Sequence, residues 1–272
     1  MTFTWLKGHG TENDFVLLPD HDGTVHGTLD PAFVAALCDR RRGIGADGVL
    51  RVIRSEAAGE ADAPEWFMDY RNADGSVSEM CGNGIRVFAL HLVQEGLVEA
   101  GAPVPVLTRD GIKTVTVEGT QVTVDMGPFT VGGASEVAVD GQTWKATEVH
   151  TGNPHAVAFV ESLGDAGTLL QEPGYDAEVY PHGVNIEFVH REAPQHVSMR
   201  VHERGSGETR SCGTGACAVA IATATSDAVA LPAEYRVDVP GGTLNITVTD
   251  DQRVVMRGPA DIVARGEMEW LA

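Results

Sequence analysis

Long apolar runs and positive charges are both scarce in this sequence of 272 residues. The longest apolar stretches, such as residues 216–222, are far shorter than the roughly 20 residues that a membrane-spanning helix needs. Lys and Arg number 19 against 39 Asp and Glu, and the net charge of -20 would repel nucleic acid and anionic lipid. The first residues lack the basic segment and apolar core of a secretory signal. We therefore expect a cytoplasmic protein that binds neither nucleic acid nor membranes.

Cysteine is also scarce, with four residues in the chain. Without a secretory signal, these are expected to be thiols rather than a disulfide scaffold. No metal site is expected, because there is no C-x-x-C pair and Cys212 and Cys217 are five positions apart. Cys38 and Cys217 fall inside predicted helices and are expected to be small buried side chains. Cys81 and Cys212 have a different setting.

The chain repeats one plan twice. HGTENDFVLL near the N-terminus resembles TGNPHAVAFV in the second half, and RNADGSVSEMCGNG corresponds to ERGSGETRSCGTG. The second pair keeps one register, since Cys81 to Cys212 and Asn72 to Glu203 are both offsets of 131 residues. Offsets near half the chain length predict two similar domains in tandem.

We place an N-terminal domain at 1–126, completed by a C-terminal strand at 260–272, and a second domain at 127–259. Asp30 and Pro31 give the N-cap and first position of a helix that we expect to end near Arg42. The following GIGADG matches the G-x-G-x-x-G of dinucleotide sites, but that motif follows a strand and precedes a helix. Here the order is reversed, so we interpret the glycines as a tight connection.

Each of Cys81 and Cys212 directly precedes a predicted helix, between glycines. Unpaired N–H groups and the positive end of the helix dipole favour a thiolate there, so we expect a lowered pKa at both thiols. Two equivalent thiols suit a proton transfer in which one group removes a hydrogen from a carbon and the other returns it to the opposite face. A Cys81–Cys212 disulfide switch and a Cys–His hydrolase with His155 or His202 as base remain alternatives.

Six stretches carry a resemblance to a known family: HGTENDF, RRGIGADG, YRNADGSVSEMCGNGIR, TGNPHAV, GVNIEF and ERGSGETRSCGTGA. Together they resemble the diaminopimelate epimerase family nearly from end to end. The resemblance implies an α/β (α+β) protein of two pseudo-symmetric domains, each a curved mixed sheet or barrel around a central helix, with the active site in the interdomain cleft. It also implies a homodimer that needs no cofactor, pyridoxal phosphate included. The activity implied is interconversion of LL- and meso-diaminopimelate in lysine and peptidoglycan precursor biosynthesis.

The same resemblance implies the site residues. Cys81 and Cys212 would be the acid/base pair, and His155 and Glu203 would tune their pKa values. The substrate-binding positions that it implies are Asn13, Asn72, Gly82, Asn83, Asn153, Asn185, Glu203, Arg204, Gly213 and Thr214.

Two departures from the family pattern concern the pocket. Some members carry Gln where this chain has Gly48, and the position of His202 is often aromatic. A different cofactor-independent amino-acid racemase on the same scaffold is therefore the nearest alternative function. Arg204, Asn72 and Asn185 would distinguish the two, because a distal carboxylate on the substrate needs them in the pocket.

Overall fold

The computed structural model describes residues 2–270, and the chain divides into two compact units. The first unit extends to Val124 and resumes at Pro259, and the second comprises Asp125–Gly258. Each unit consists of many strands and a long helix that contacts several of them. The predicted class, two similar domains that each place a mixed sheet around a central helix, is confirmed.

The helices and strands follow one another in a fixed order along the chain. Those that begin in the first unit are β1 (Thr2–Gly10), β2 (Asn13–Pro19), α1 (Pro31–Cys38), β3 (Gly48–Arg54), β4 (Trp66–Asn72), α2 (Gly82–Gln94), β5 (Val104–Thr108), β6 (Gly111–Glu118) and β7 (Gln121–Pro128). The remaining elements are β8 (Thr130–Val139), β9 (Gln142–His150), β10 (Pro154–Phe159), β11 (Gly174–Tyr175), β12 (Asn185–Ala193), β13 (His196–Glu203), β14 (Gly207–Thr209), α3 (Gly213–Asp227), β15 (Ala233–Val239), β16 (Gly242–Val248), β17 (Arg253–Pro259) and β18 (Asp261–Glu269).

Strand pairing follows the same order in both units. In the first, β18–β1 and β1–β2 are antiparallel, β2–β3 parallel, β3–β4 antiparallel, β4–β5 parallel, and β5–β6 and β6–β7 antiparallel. In the second, the series β8, β9, β10, β12, β13, β15, β16 and β17 gives the same succession of directions. The repeat in the sequence is therefore a repeat of structure.

The helices α2 and α3 occupy equivalent places, each between the strands of its own unit. Almost every residue of Gly82–Leu92 and Gly213–Ala224 is buried, as expected for helices that are apolar on most of their circumference. Within residues 2–270, no helix is long and apolar enough to cross a membrane. Each of these buried helices begins directly after a cysteine, Cys81 before α2 and Cys212 before α3.

The first helix is shorter than predicted. It starts as expected, because the Asp30 carboxylate accepts a hydrogen bond from the backbone N–H of Ala32 at 3.0 Å. It ends at Cys38 rather than near Arg42. The next residue, Asp39, is extended, and its carboxylate accepts from the N–H groups of Arg41 and Arg42 at 2.8 and 2.9 Å. This local bonding competes with continuation of the helix.

Candidate active site

Cys81 and Cys212 are the N-cap residues of α2 and α3. Both have extended backbones, with φ of -137° and -124°. The sulfur of Cys81 accepts a hydrogen bond from Gly84 N–H at 3.4 Å, and that of Cys212 accepts from Gly215 N–H at 3.3 Å. A hydroxyl or carboxylate usually fills this role. The two thiols thus occupy the same structural position in the two units.

Asn13 and Asn83 lie beside the thiol of Cys81. The Cys81 thiol lies 3.7 Å from Asn13 Oδ1, which also accepts from Asn83 Nδ2 at 3.1 Å. The amide nitrogen of Asn13 donates to Asp47 Oδ2 at 2.8 Å. The structure therefore brings together three of the predicted site residues and adds Asp47, whose carboxylate fixes the orientation of the Asn13 amide.

An ion cluster supports the turn that carries Asn13. Arg40 bridges Asp14 and Asp47 at 2.7 Å each, and Lys7 pairs with Asp14 at 2.7 Å. Burial alone raises the pKa of Asp14, but its bonds to Arg40 and Lys7 outweigh burial and hold that pKa well below its usual range. Asp14 therefore stays charged and anchors the turn next to Cys81.

Asn72 and Gly48 face each other across β3 and β4. The side-chain amide of Asn72 donates to Ser76 Oγ at 3.0 Å, so the turn after β4 holds this side chain. A Cβ added at Gly48 would lie 2.6 Å from the carbonyl oxygen of Arg71 and 2.7 Å from the Tyr70 ring. The neighbouring strand therefore occupies the space that a glutamine would need.

Cys212 has an acidic setting. Thr214 Oγ1 lies 3.5 Å from its sulfur, and the carboxylates of Glu203 and Glu187 act on it electrostatically. Burial, and then the negative charges of Glu203 and Glu187, raise the pKa of Cys212 well above its usual value. The expectation of a lowered pKa was wrong for Cys212, because desolvation and two carboxylates outweigh the helix start.

Glu203 is itself perturbed. Burial, reinforced by the charge of Glu187, raises the pKa of Glu203, while its hydrogen bond from Thr209 Oγ1 and the nearby His155 oppose the rise. Glu203 and Cys212 therefore compete for negative charge. Ionising one of them disfavours ionising the other.

His155 lies in a chain of hydrogen bonds. Its Nδ1 is 2.7 Å from Glu187 Oε1, and its Nε2 is 2.9 Å from Asn153 Oδ1. His155 and Glu187 are both fully buried. Two predicted residues, His155 and Asn153, are therefore joined, and the third member was not anticipated from the sequence.

Asn185 and Arg204 are joined as well. Asn185 Oδ1 accepts from the backbone N–H of Arg204 at 2.9 Å, and Asn185 Nδ2 donates to Pro154 O at 3.4 Å. The guanidinium of Arg204 donates to His182 O at 3.0 Å. The backbone of Arg204 is thus fixed, whereas its side chain is held by a single loop carbonyl.

The remaining predicted positions are the first residues of the two central helices. Gly82 opens α2, and its carbonyl accepts from Arg86 Nη1 at 3.3 Å. Gly213 opens α3, and the carbonyl of Thr214 accepts from Thr151 Oγ1 at 3.4 Å. Asn83 follows Gly82 in the first turn of α2. These positions place backbone N–H groups at the two helix starts, where anions bind.

The family model for diaminopimelate epimerase matches residues 5–131 and 147–263. This chain belongs to the diaminopimelate epimerase family. It is 57% identical to the diaminopimelate epimerase of Streptomyces coelicolor, with 98% of this chain and 96% of that protein covered. It is 44% identical to that of Corynebacterium glutamicum, with 99% of each covered. The resemblance read from the six sequence stretches is confirmed, and with it the isomerase class.

Solved structures of other proteins share the fold. A PhzF-family phenazine biosynthesis protein of Bacillus anthracis has a TM-score of 0.74 at 17% identity, covering 99% of this chain and 100% of that one. A hydroxyproline epimerase of Agrobacterium vitis has a TM-score of 0.71 at 16% identity, covering 98% and 92%. At such identities the likeness concerns the fold alone.

The hydrolase alternative lacks its defining contact. Among residues 2–270, no hydrogen bond joins Cys212 to His155 or His202, and His202 is buried with an unbonded Nδ1. A Cys–His nucleophile needs that bond. The same described residues contain no group of three His, Cys, Asp or Glu side chains placed to hold a metal ion. Neither observation conflicts with membership of the diaminopimelate epimerase family.

Sequence reasoning missed Glu187, Asp47 and Arg40. Glu187 stands in the buried strand GVNIEFV, where one charged residue among apolar neighbours was the available signal. Asp47 lies within GIGADG and Arg40 shortly before it, and that segment was interpreted only as a connection. Nothing in its pattern indicates that the connection supports Asn13.

Proposed function

We propose that this member of the diaminopimelate epimerase family interconverts LL- and meso-diaminopimelate with Cys81 and Cys212 as its two acid/base groups. The observation that carries the proposal is the equivalent position of the two thiols, each the N-cap of the buried helix of its unit. A reaction that removes a proton from one face of a carbon and adds a proton to the opposite face needs two such groups.

The chemistry requires one thiolate and one thiol. The thiolate takes the α-hydrogen as a proton, and the electron pair of the broken C–H bond is delocalised into the substrate carboxylate. The thiol then gives its proton to the opposite face of the same carbon. Atoms and charge balance, because the first cysteine ends as a thiol and the second as a thiolate. The two exchange roles when the reaction runs in the other direction.

The backbone at the helix starts stabilises the developing charge. The first N–H groups of each helix have no acceptor within the helix and can donate to a ligand, and the positive end of the helix dipole lies at the same place. We assign this role to Gly82 and Asn83 in α2 and to Gly213 and Thr214 in α3. Donors aimed at charge that develops in the transition state lower the barrier directly.

The surroundings of the two thiols differ, and this assigns the starting proton. Cys212 is buried beside two carboxylates, so its thiol form is favoured. Cys81 stands beside the neutral amides of Asn13 and Asn83. The proposed resting state therefore has a protonated Cys212.

The remaining predicted residues bind the substrate in this scheme. Arg204 is suited to the distal carboxylate, since a guanidinium can bind a carboxylate through two parallel hydrogen bonds. It would exchange the His182 carbonyl for the ligand. Glu203 would accept from an ammonium group. The amides of Asn13, Asn72, Asn153 and Asn185 would complete the polar lining. The homodimer, the cytoplasmic location and the independence of pyridoxal phosphate remain part of the proposal.

Incubation with LL-diaminopimelate in deuterated water under reducing conditions tests the scheme. The native protein should incorporate deuterium at one α-carbon and form the meso isomer. Cys81→Ala and Cys212→Ala should each lose epimerisation by roughly 10²-fold or more, the usual contribution of a positioned acid or base. Cys38→Ala, at the buried end of α1, is the matched control and should keep its activity.

Full activity in either Cys81→Ala or Cys212→Ala would contradict the two-base scheme. Absence of deuterium incorporation by the native protein, with ligand binding intact, would instead support the disulfide switch.

A further inference from the structure

Glu187 is a buried carboxylate to which the reaction scheme above gives no role. It lies in β12 with no exposed surface. Its Oε1 accepts from His155 Nδ1 at 2.7 Å. Its Oε2 has no hydrogen-bond partner among the described residues. A buried carboxylate with an unbonded oxygen destabilises a fold, so its presence calls for a reason outside packing.

The first unit shows which residues the fold itself accepts at these positions. In the first unit Phe15 pairs with Gly48 between β2 and β3, and in the second His155 pairs with Asn185 between β10 and β12. Two residues further along each second strand stand Leu50 and Glu187. The pair Phe15 and Leu50 is therefore the structural counterpart of the pair His155 and Glu187.

The contacts at the helix starts confirm this correspondence. A Cβ added at Gly84 would lie 3.2 Å from Leu50 Cδ2 and 3.5 Å from Phe15 Cζ. A Cβ added at Gly215 would lie 2.7 Å from Glu187 Oε1 and 3.2 Å from the sulfur of Cys212. Apolar side chains therefore pack against the helix start at Cys81, whereas a carboxylate packs against the equivalent helix start at Cys212.

All four of these side chains are fully buried. A buried ionisable pair can often be replaced by apolar residues of similar volume without loss of stability. Because the first unit is built with Phe15 and Leu50, the fold does not require the pair of His155 and Glu187. A position that could be apolar and is instead charged points to a role in the reaction.

The pair also has a definite downstream contact. The imidazole held by Glu187 presents Nε2 to the side-chain oxygen of Asn153 at 2.9 Å. Asn13, the counterpart of Asn153 in the repeat, is oriented by Asp47 instead. Each unit therefore anchors its asparagine with a carboxylate, directly in the first unit and through an imidazole in the second.

We propose that Glu187 is a positioning residue of the epimerisation, which holds His155 and, through it, the amide of Asn153 at the Cys212 half of the site. The role rests on the proposed function of Cys212. The hydrogen bond of Glu187 goes to His155 rather than to Cys212. Glu187 orients the His155 imidazole, which in turn orients the Asn153 amide. Its negative charge also lies next to the start of α3.

This charge gives the proposal a pH signature. The carboxylates that act on Cys212 are Glu203 from β13 and Glu187 from β12, and His155 of β10 is bonded to Glu187 and acts electrostatically on Glu203. Burial and the two carboxylates raise the pKa of the Cys212 thiol. Removing the charge of Glu187 lowers that pKa. The basic limb of the pH profile of kcat, where Cys212 loses its proton, should then move to lower pH.

Three variants of the full-length protein test the role. Glu187→Gln keeps the shape and removes the charge. The double variant Glu187→Leu with His155→Phe gives the second unit the phenylalanine and leucine that the first unit has at the equivalent positions, Phe15 and Leu50. Asp238→Asn is the matched control, because Asp238 pairs with His196 at 2.7 Å at the start of β13, the opposite end of that strand from Glu203.

The double variant should melt no lower than the native protein and lose at least tenfold in kcat. Glu187→Gln should lose kcat more than it changes KM and should move the basic limb to lower pH. Asp238→Asn should leave kcat and the pH profile within twofold of native.

A double variant that folds and keeps kcat within twofold would overturn the proposal, since the pair would then be a packing feature. If the double variant does not fold, Glu187→Gln decides: an unchanged kcat and pH profile overturn the proposal equally. Activity in Cys212→Ala would refute the proposed function instead, and that variant is independent of Glu187.

Discussion

The neighbouring backbone restricts the residue at position 48 to glycine. A Cβ there would approach the carbonyl oxygen of Arg71 to 2.6 Å, and a backbone atom cannot move aside as a side chain can. Gly48→Ala should therefore lower the free energy of unfolding by about 1–3 kcal/mol, the usual cost of overpacking. Urea unfolding of the two proteins measures the difference.

The control for this change is Gly133→Ala, because nothing lies within 4 Å of a Cβ added at Gly133. Its effect should stay within about 0.5 kcal/mol, as for most surface substitutions. A second-site change, Tyr70→Leu, should not restore the stability of Gly48→Ala, since the clash with Arg71 remains. Full restoration would show that the Tyr70 ring alone excludes a side chain at position 48.

Some site residues could be predicted from the sequence and others could not. Cys81 and Cys212 were accessible because a thiol before a glycine-rich helix start is a local pattern that occurs twice. Glu187 was not, because a single acidic residue in a strand says nothing about its partner until the strands are paired. Its counterpart Leu50 becomes visible only when the register of β3 and β12 is known.

At the scale of elements, the central helix α2 contains an ionisable residue that its counterpart lacks. His91 is buried on α2, and neither of its ring nitrogens has a hydrogen-bond partner among the described residues. Burial lowers the pKa of His91 from 6.5 to about 4, and the nearby charge of Glu95 only partly opposes this. The helix is therefore stable with a neutral imidazole.

The sign of the pH effect follows from this shift. Between pH 6.5 and about 4 the unfolded chain binds a proton at His91 that the folded chain does not. Stability therefore falls as the pH falls through this window, by up to about 1.4 kcal/mol per pH unit for this one group. Above pH 6.5 both states are neutral and His91 contributes no slope.

His91→Leu should therefore make the protein less sensitive to acid. The difference in unfolding free energy between pH 7 and pH 5, measured in urea, should shrink relative to native. It should not vanish, because burial also lowers the pKa values of His21 and His26. His150→Gln, at an exposed position, is the control and should keep the native difference. An equal pH dependence in His91→Leu and native would contradict the assignment.

The sequence predicted the starts of α2 and α3 correctly but not the end of α1. The starts of α2 and α3 followed from the Cys-Gly pattern, because a cap is a local feature of a few residues. The end of α1 did not, because the residues up to Arg42 are acceptable in a helix. The competing bonds from the Asp39 carboxylate decided it, and these depend on geometry that the sequence pattern does not show.

At the scale of the whole molecule, the repeat explains an unusual feature of the chain. The second unit takes all eight of its repeated strands from one continuous segment, whereas the first takes its equivalent of β8 from the far end of the chain, as β18. A repeat in the sequence predicts two similar units. It does not indicate that the first unit must wait for the last strand to be synthesised before its sheet is complete.

Truncation after Ala260 tests this dependence. It removes β18, whose residues pair with β1 from Thr2↔Glu269 to His9↔Asp261. Because β1 then has an unpaired edge, its amides should lose protection from hydrogen exchange, and the melting temperature of the first unit should fall. Amides of β12 and β13 should keep native protection, because their partners all lie within the second unit. A truncation after Gly266 removes only the pairs at the start of β1 and should have a smaller effect. Equal loss of protection in both units after the longer truncation would show that β18 stabilises the whole chain rather than the first unit.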